Sequence, residues 1–406
     1  MKRLVTLMMC CVLFCSTIAF CQRKAIFIIV DGIPADVIEK LDLPSLAEIR
    51  KTGGYARAYQ GGEKDAYSQS PTISAVGYNN VLTGVWANKH NVWDNDIADP
   101  NYQYWNIFRI AKAAKPELKI GIFSTWLDNR TKLVGEKLPQ AGSVQFDYAF
   151  DGYELDTVRF PHTKDRTYLS RIDDHVAAAA ARTIREQAPD LSWVYLEFTD
   201  DMGHLFGDSP QFYGALEKAD AQIGMIWKEV KTRQEKFGEE WMIVITTDHG
   251  RDAATGKGHG GQSDRERSTW MITNQTDLNN RFRSKPGAVD VLPSLLHFMK
   301  IEPPEYVKNE LDGVSFLGPI CAGNLVAIAN GADLELTWSP LGPGTPGEVL
   351  ISTTNNFGKG GTDTYEKVAD INTADGKIRL IGKGAGAQKV LIRTKLHTIN
   401  AWVRSQ

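Results

Sequence analysis

Cysteine is nearly missing from the body of this 406-residue sequence. Five are present, but Cys10, Cys11, Cys15 and Cys21 crowd the first 21 positions, which leaves Cys321 alone. Without that leader the chain has no internal disulfide to form, so its stability must come from a packed core, with bound metal the other available source. Charge of one sign is also lacking: the formal net charge is −3, which offers no surface for duplex nucleic acid. No tandem repeat or low-complexity segment occurs, and no membrane span is expected after the leader. At 42% hydrophobic and 23% charged residues the composition is that of a globular chain, long enough for one large domain and one small one.

The leader itself reads as a secretory signal over residues 1–21. Lys2 and Arg3 precede the apolar run Leu4 to Phe20, and Ala19-Phe20-Cys21 before Gln22 offers a small-x-small cleavage site. Bulky Phe20 argues against lipid attachment at Cys21. Export to the periplasm or the extracellular space is the expectation.

What is present is a set of apolar runs that end in chemistry-bearing residues. Trp241 to Ile245 runs into Thr247-Asp248-His249-Gly250, and Gly258-His259-Gly260-Gly261 follows shortly after. Ala25 to Val30 is a continuous β-branched run and stops at Asp31-Gly32. Ser192 to Phe198 leads to Asp200 and His204, whose i, i+4 spacing puts both on one side of a helical turn; Asp201 is an alternative to Asp200. Open α/β sheets place their ligands outside the carboxyl ends of their strands. Each acid alone would serve as a turn or cap residue, but three such strand ends with two His-bearing loops suit a divalent cation site.

Ser70-Pro71 marks a turn, and a helix is predicted from Ser74 to about Thr83 with Gly84 as its stop. A hydroxyl in the first turn lies near unpaired N–H groups and the positive end of the helix dipole, where an alkoxide or phosphate is favoured. A plain cap serine is the simpler role.

Alternation of strands and helices specifies a doubly wound, mostly parallel sheet over residues 22–321. Residues 90–165, rich in aromatics and turn formers, read as long loops forming a cap, with one strand from Lys119 to Ser124. From residue 322 to 406, short alternating runs between Gly, Pro and Asn suggest a small β-sandwich.

The physical proposal is two divalent ions, of the zinc type by their Asp and His ligands, about 4 Å apart and clamping one phosphate beside Ser74. Here the chain resembles the alkaline phosphatase superfamily, specifically its type I phosphodiesterase/nucleotide pyrophosphatase branch. The motifs that carry this are Ile29-Val30-Asp31-Gly32, Ser74 with Thr83-Gly84 beyond it, Asp200-x-x-x-His204, Thr247-Asp248-His249-Gly250 and Gly258-His259-Gly260. The resemblance implies that Asp31, Ser74, Asp248 and His249 hold one metal, and that Asp200, His204 and His259 hold the other. It makes Ser74 the nucleophile, with Thr72 the alternative because many members use Thr, and Asn95 a donor to a phosphate oxygen. The N–H after Ser74 is expected to share that role. The implied activity is hydrolysis of a small-molecule, lipid or glycan phosphodiester through a phospho-Ser74 intermediate.

The loop from His249 to His259 is shorter than in nucleotide pyrophosphatases and is more like that of phosphoethanolamine transferases in the same superfamily. No formylglycine signature surrounds Ser74, which disfavours a sulfatase. A phosphomonoesterase would need further cations for the extra phosphate charge, for which Arg130, Lys164, Arg251 and Arg265 are candidates. A rival from another class is a non-catalytic glycan- or surface-binding protein that uses the β module.

Overall fold

The computed structural model describes residues 23–405, so the signal read over residues 1–21 lies outside the described residues. Seven strands build the main sheet: β1 (Arg23–Val30), β2 (Gly54–Tyr59), β3 (Ile120–Ser124), β4 (Tyr148–Phe150), β5 (Leu191–Leu196), β6 (Glu240–Thr246) and β7 (Ser268–Thr273), in the order β2-β7-β6-β1-β5-β3-β4. From β6 to β4 all neighbours are parallel, whereas β7 runs antiparallel to β6 and β2 antiparallel to β7.

Strand β1 is central because its side chains are apolar on both faces. Ala25, Phe27 and Ile29 enter one core and Ile26, Ile28 and Val30 the other. The first core is closed by helices Ser74–Thr83, Ile107–Ala114 and Val291–Met299, the second by Pro44–Thr52, Thr167–Gln187 and Pro210–Phe237. Each fully buried aliphatic side chain contributes about 1.5–3 kcal/mol, so this two-sided packing makes β1 a rigid platform. Much of segment 90–165 belongs to this framework: Phe108 and Phe146 are core residues, and Phe108 packs against Phe27 with ring centroids 6.1 Å apart.

The C-terminal module contains β8 (Ala322–Asn330), β9 (Asp333–Pro340), β10 (Pro346–Ser352), β11 (Glu366–Asn372), β12 (Lys377–Leu380), β13 (Lys389–Thr394) and β14 (Thr398–Ser405). All seven join one curled sheet around a core that includes Leu334, Leu336, Val349 and Val390. The first and last strands of the module, β8 and β14, pair in parallel and so link its two halves. Among the described residues, no helix is long and apolar enough to cross a membrane.

Candidate active site

Register along the main sheet brings the candidate residues to one edge. Ile29 lies opposite Thr246 and Val30 opposite Leu196, so the chain segments after β1, β5 and β6 leave the sheet side by side. Asp31 directly follows β1, Asp248 lies two residues beyond β6, and Asp200 sits in the first turn of helix Phe198–Phe206. Backbone contacts hold them there. Gly32 N–H donates to Asp248 Oδ1 at 3.1 Å, Ile33 N–H to the Thr247 hydroxyl at 3.0 Å, and the Thr199 hydroxyl to the Asp31 carbonyl at 2.6 Å.

The innermost part of the site is short of partners. Asp31 Oδ2 accepts from the hydroxyls of Tyr78 and Tyr195, the latter at 2.7 Å. Asp31 Oδ1 and Asp248 Oδ2 are buried and have no hydrogen-bond partner among the described residues. Both face His249 Nε2, at 3.3 and 3.2 Å. Burial pushes the Asp31 carboxyl well above its ordinary range, and the charges of Asp248 and Asp200 push it further. Burial likewise raises Asp248 to about 7 against the hydrogen bond from Gly32, with Asp200 adding to the rise. Two orphaned acceptors of like charge in a dry site are costly unless a cation sits between them.

The imidazoles are aimed inward. His249 Nδ1 lies 2.8 Å from the Gly250 carbonyl and His259 Nδ1 2.9 Å from the Thr72 carbonyl. A carbonyl only accepts, so Nδ1 carries the hydrogen in both rings and Nε2 keeps its lone pair toward the site. This is how metal-ligating histidines are held. The rings stack with centroids 3.7 Å apart. Burial, then the neighbouring His259, holds His249 well below the usual imidazole range, and burial also lowers His259. His204 shares the helix with Asp200 and lies 3.1 Å from both Asp200 Oδ2 and His259 Nε2. It is partly exposed, and the hydrogen bond it donates to Asp200 raises its pKa.

Asp31, Asp248 and His249 thus form one group of closely placed ligand atoms, and Asp200, His249 and His259 a second, so His249 borders both. The orphaned oxygens and the fixed tautomers fit divalent cations.

Ser74 opens helix Ser74–Thr83, and Gly84 ends it in the left-handed conformation at φ 66°. Its Oγ lies 3.4 Å from His249 Nε2. The Thr72 hydroxyl is engaged elsewhere, donating to the Gly261 carbonyl at 2.9 Å and accepting from Gly260 N–H at 3.0 Å. Asn95 reaches the site by accepting from Ala75 N–H through Oδ1 at 3.0 Å. The N–H after Ser74, expected to be a free donor, is therefore occupied by Asn95. Asp201, the alternative to Asp200, turns away to pair with Arg166.

Sequence reasoning missed the role of Arg251. This guanidinium is fully buried and pairs with Asp200 Oδ1, while donating to the carbonyls of Asp200 at 2.7 Å, Gly32 at 2.9 Å and Lys257 at 3.0 Å. A Cβ at Gly32 or Gly203 would collide with it, so those glycines form its slot. Burial acts upward on Asp200, but Arg251, His204 and His249 outweigh it and hold the carboxylate far below its ordinary range. The position next to Asp248-His249-Gly250 was the available signal. The other cations considered for a monoester are also engaged. Arg130 pairs with Asp151 at 2.6 Å and Glu136 at 2.5 Å, and Arg265 with Asp36 at 3.0 Å and Asp208 at 2.8 Å; Lys164 is exposed.

Known proteins resemble the chain in the same region. The family model described as type I phosphodiesterase/nucleotide pyrophosphatase matches residues 25–264. A venom phosphodiesterase of Naja atra is 22% identical over 247 residues, 58% of this chain and 27% of the venom protein. Human ectonucleotide pyrophosphatase/phosphodiesterase family member 5 is 24% identical over 240 residues, 56% of this chain and 45% of that protein. The chain therefore spans less than half the length of either relative. Among solved structures, the phosphonate monoester hydrolase of Agrobacterium radiobacter shares the fold, with a TM-score of 0.51 and 13% identity over 93% of this chain and 88% of that one. With the matched segment running from β1 past His259, the chain belongs to the type I phosphodiesterase/nucleotide pyrophosphatase family.

Proposed function

We propose that the protein is an exported, metal-dependent hydrolase of small-molecule phosphodiesters, with Ser74 as nucleophile. The observation that carries this is the pair of orphaned oxygens, Asp31 Oδ1 and Asp248 Oδ2, beside His249 Nε2, which itself lies 3.4 Å from Ser74 Oγ. Asp31, Asp248 and His249 would hold one divalent cation together with Ser74, and Asp200, His204 and His259 a second. Such ions supply Lewis acidity and charge neutralisation at the phosphate.

The chain's own residues do the rest. Ser74 Oγ, at the positive end of its helix, attacks phosphorus; the P–O bond to the leaving group breaks and that oxygen takes a proton. Water then cleaves the phospho-Ser74 ester and restores the serine hydroxyl. Asn95 borders the same helix end, where its amide can turn to donate to a phosphate oxygen once it releases Ala75 N–H. Ion pairing of Arg130, Arg251 and Arg265 favours a diester over a monoester, because none of them is free to neutralise the extra charge.

Ser74→Ala should lower turnover of bis-p-nitrophenyl phosphate by about 10³-fold or more. Metal content, measured on the same sample, should persist. Wild-type rates on the diester should exceed those on p-nitrophenyl phosphate. Full activity in Ser74→Ala removes the nucleophile assignment, and binding without hydrolysis across a broad ester panel favours a non-catalytic protein.

A further inference from the structure

A second built site lies where the α/β domain meets the β module. There a cavity of about 260 Å³ is bounded on one side by Tyr306, Asn309 and Glu310 and on the other by Phe357, Asp363 and Tyr365. The last three come from the connection between β10 and β11 and its approach to β11. It shares no lining residue with the Ser74 site.

Its polar atoms are divided between satisfied and unsatisfied. Lys389 Nζ is buried and pairs with Glu310 Oε1 and, at 2.9 Å, with Asp363 Oδ2. Asp363 also accepts from the Thr354 hydroxyl at 2.7 Å and from Asn356 N–H at 2.8 Å. In contrast, Glu310 Oε2, Asn309 Oδ1 and the Tyr365 hydroxyl are buried with no hydrogen-bond partner among the described residues. Asn309 and Glu310 are 7% and 3% exposed, so neither is bathed in solvent. Aromatic faces flank these groups: Tyr306 and Phe357 have ring centroids 6.3 Å apart, and Tyr306 is 49% exposed at the mouth.

We propose that this cavity binds a neutral carbohydrate ring. Two lone acceptors and one hydroxyl call for a ligand that donates hydrogen bonds. The carboxylates of Glu310 and Asp363 repel an anion. Lys389 already neutralises part of their charge and sits close enough to weaken the case for a cation. The aromatic faces call for an apolar C–H surface on the same ligand. Hydroxyl donors on one edge and a C–H face on the other describe a sugar ring. Since its walls come from both parts of the chain, an occupant would tie the module to the catalytic domain. This inference is independent of the phosphodiesterase reading.

The test is calorimetric titration of the whole chain with methyl glycosides of glucose, galactose, mannose and N-acetylglucosamine, and with choline as the cationic comparison. At least one glycoside should saturate one site with Kd at or below about 1 mM and raise the unfolding temperature by mass action. Tyr306→Ala, a change at an exposed position, should weaken that binding about tenfold or more. Asn309→Ala should do the same. Hydrolysis of bis-p-nitrophenyl phosphate should not change in Tyr306→Ala. The proposal is overturned if no glycoside of the panel saturates below about 10 mM, if choline binds in preference, or if glycoside affinity survives Tyr306→Ala.

Discussion

The two ends of β1 bury charge in opposite ways. At the N-terminal end, Lys24 Nζ meets Asp190 Oδ1 at 2.6 Å and the Ala188 carbonyl at 2.7 Å, and Lys119 N–H donates to Asp190 Oδ2 at 2.8 Å. Opposite charges meet there and the carboxylate is well supplied with donors. At the C-terminal end, Asp31 and Asp248 face each other across His249 with one oxygen apiece lacking a hydrogen bond among the described residues. Burial strips water from the charges at both ends. A complete buried pair is structural; an incomplete one marks what the folded chain is built to receive.

Neutralising either site acid should separate the two ends most sharply. Asp31→Asn or Asp248→Asn should cut turnover by about 10³-fold or more, with metal content falling in parallel. In chelator, the same variants should keep or gain stability to denaturant, because like-charge repulsion is relieved. Asp190→Ala should do the reverse, costing about 3–5 kcal/mol by leaving Lys24 buried alone, with metal content unchanged. Equal destabilisation by Asp31→Asn and Asp190→Ala in chelator would erase the distinction.

A smaller effect is expected one step back from the ligands. Tyr195→Phe removes a 2.7 Å hydrogen bond that orients Asp31. Metal affinity should fall by about 10–100-fold, read by competition with a chromogenic chelator. Wild-type affinity in that variant would mean that the tyrosine only fills space.

The smallest effect is a pH slope in the metal-free protein. Asp248 is raised to about 7 from an ordinary 3.8. It therefore holds its proton more firmly when folded, and its contribution to stability is full below pH 3.8 and lost as pH rises toward 7. The stability gap between Asp248→Asn and wild type should widen in favour of the variant across that window. A gap that narrows would contradict the raised pKa.

Much of this edge was legible because strand-end acids follow long apolar runs. Asp31 and Asp248 needed only those runs, and the 3.1 Å contact of His204 with Asp200 follows from their i, i+4 spacing on one helix. Strand β2, Gly-Tyr-Ala-Arg-Ala-Tyr, was not legible: its small residues carry little β signal, and it gains its place by pairing with β7. Strand β4, three residues long, gives no period to read. The β module was legible from its short alternating runs, but the parallel pairing of β14 with β8, Val403 opposite Ala327, joins opposite ends of the module and leaves no local signal. Arg251 was hidden for another reason. Its partner lies 51 positions away, and its slot depends on two glycines on other segments.

That slot makes the two donor sets unequal. A guanidinium is a permanent resident beside Asp200, so this carboxylate has already met much of its demand for positive charge. Asp31 and Asp248 have met none of theirs in the same way. A titration with divalent cation should accordingly load in two steps, the inner carboxylates first, and dilution should empty the outer set before the inner one.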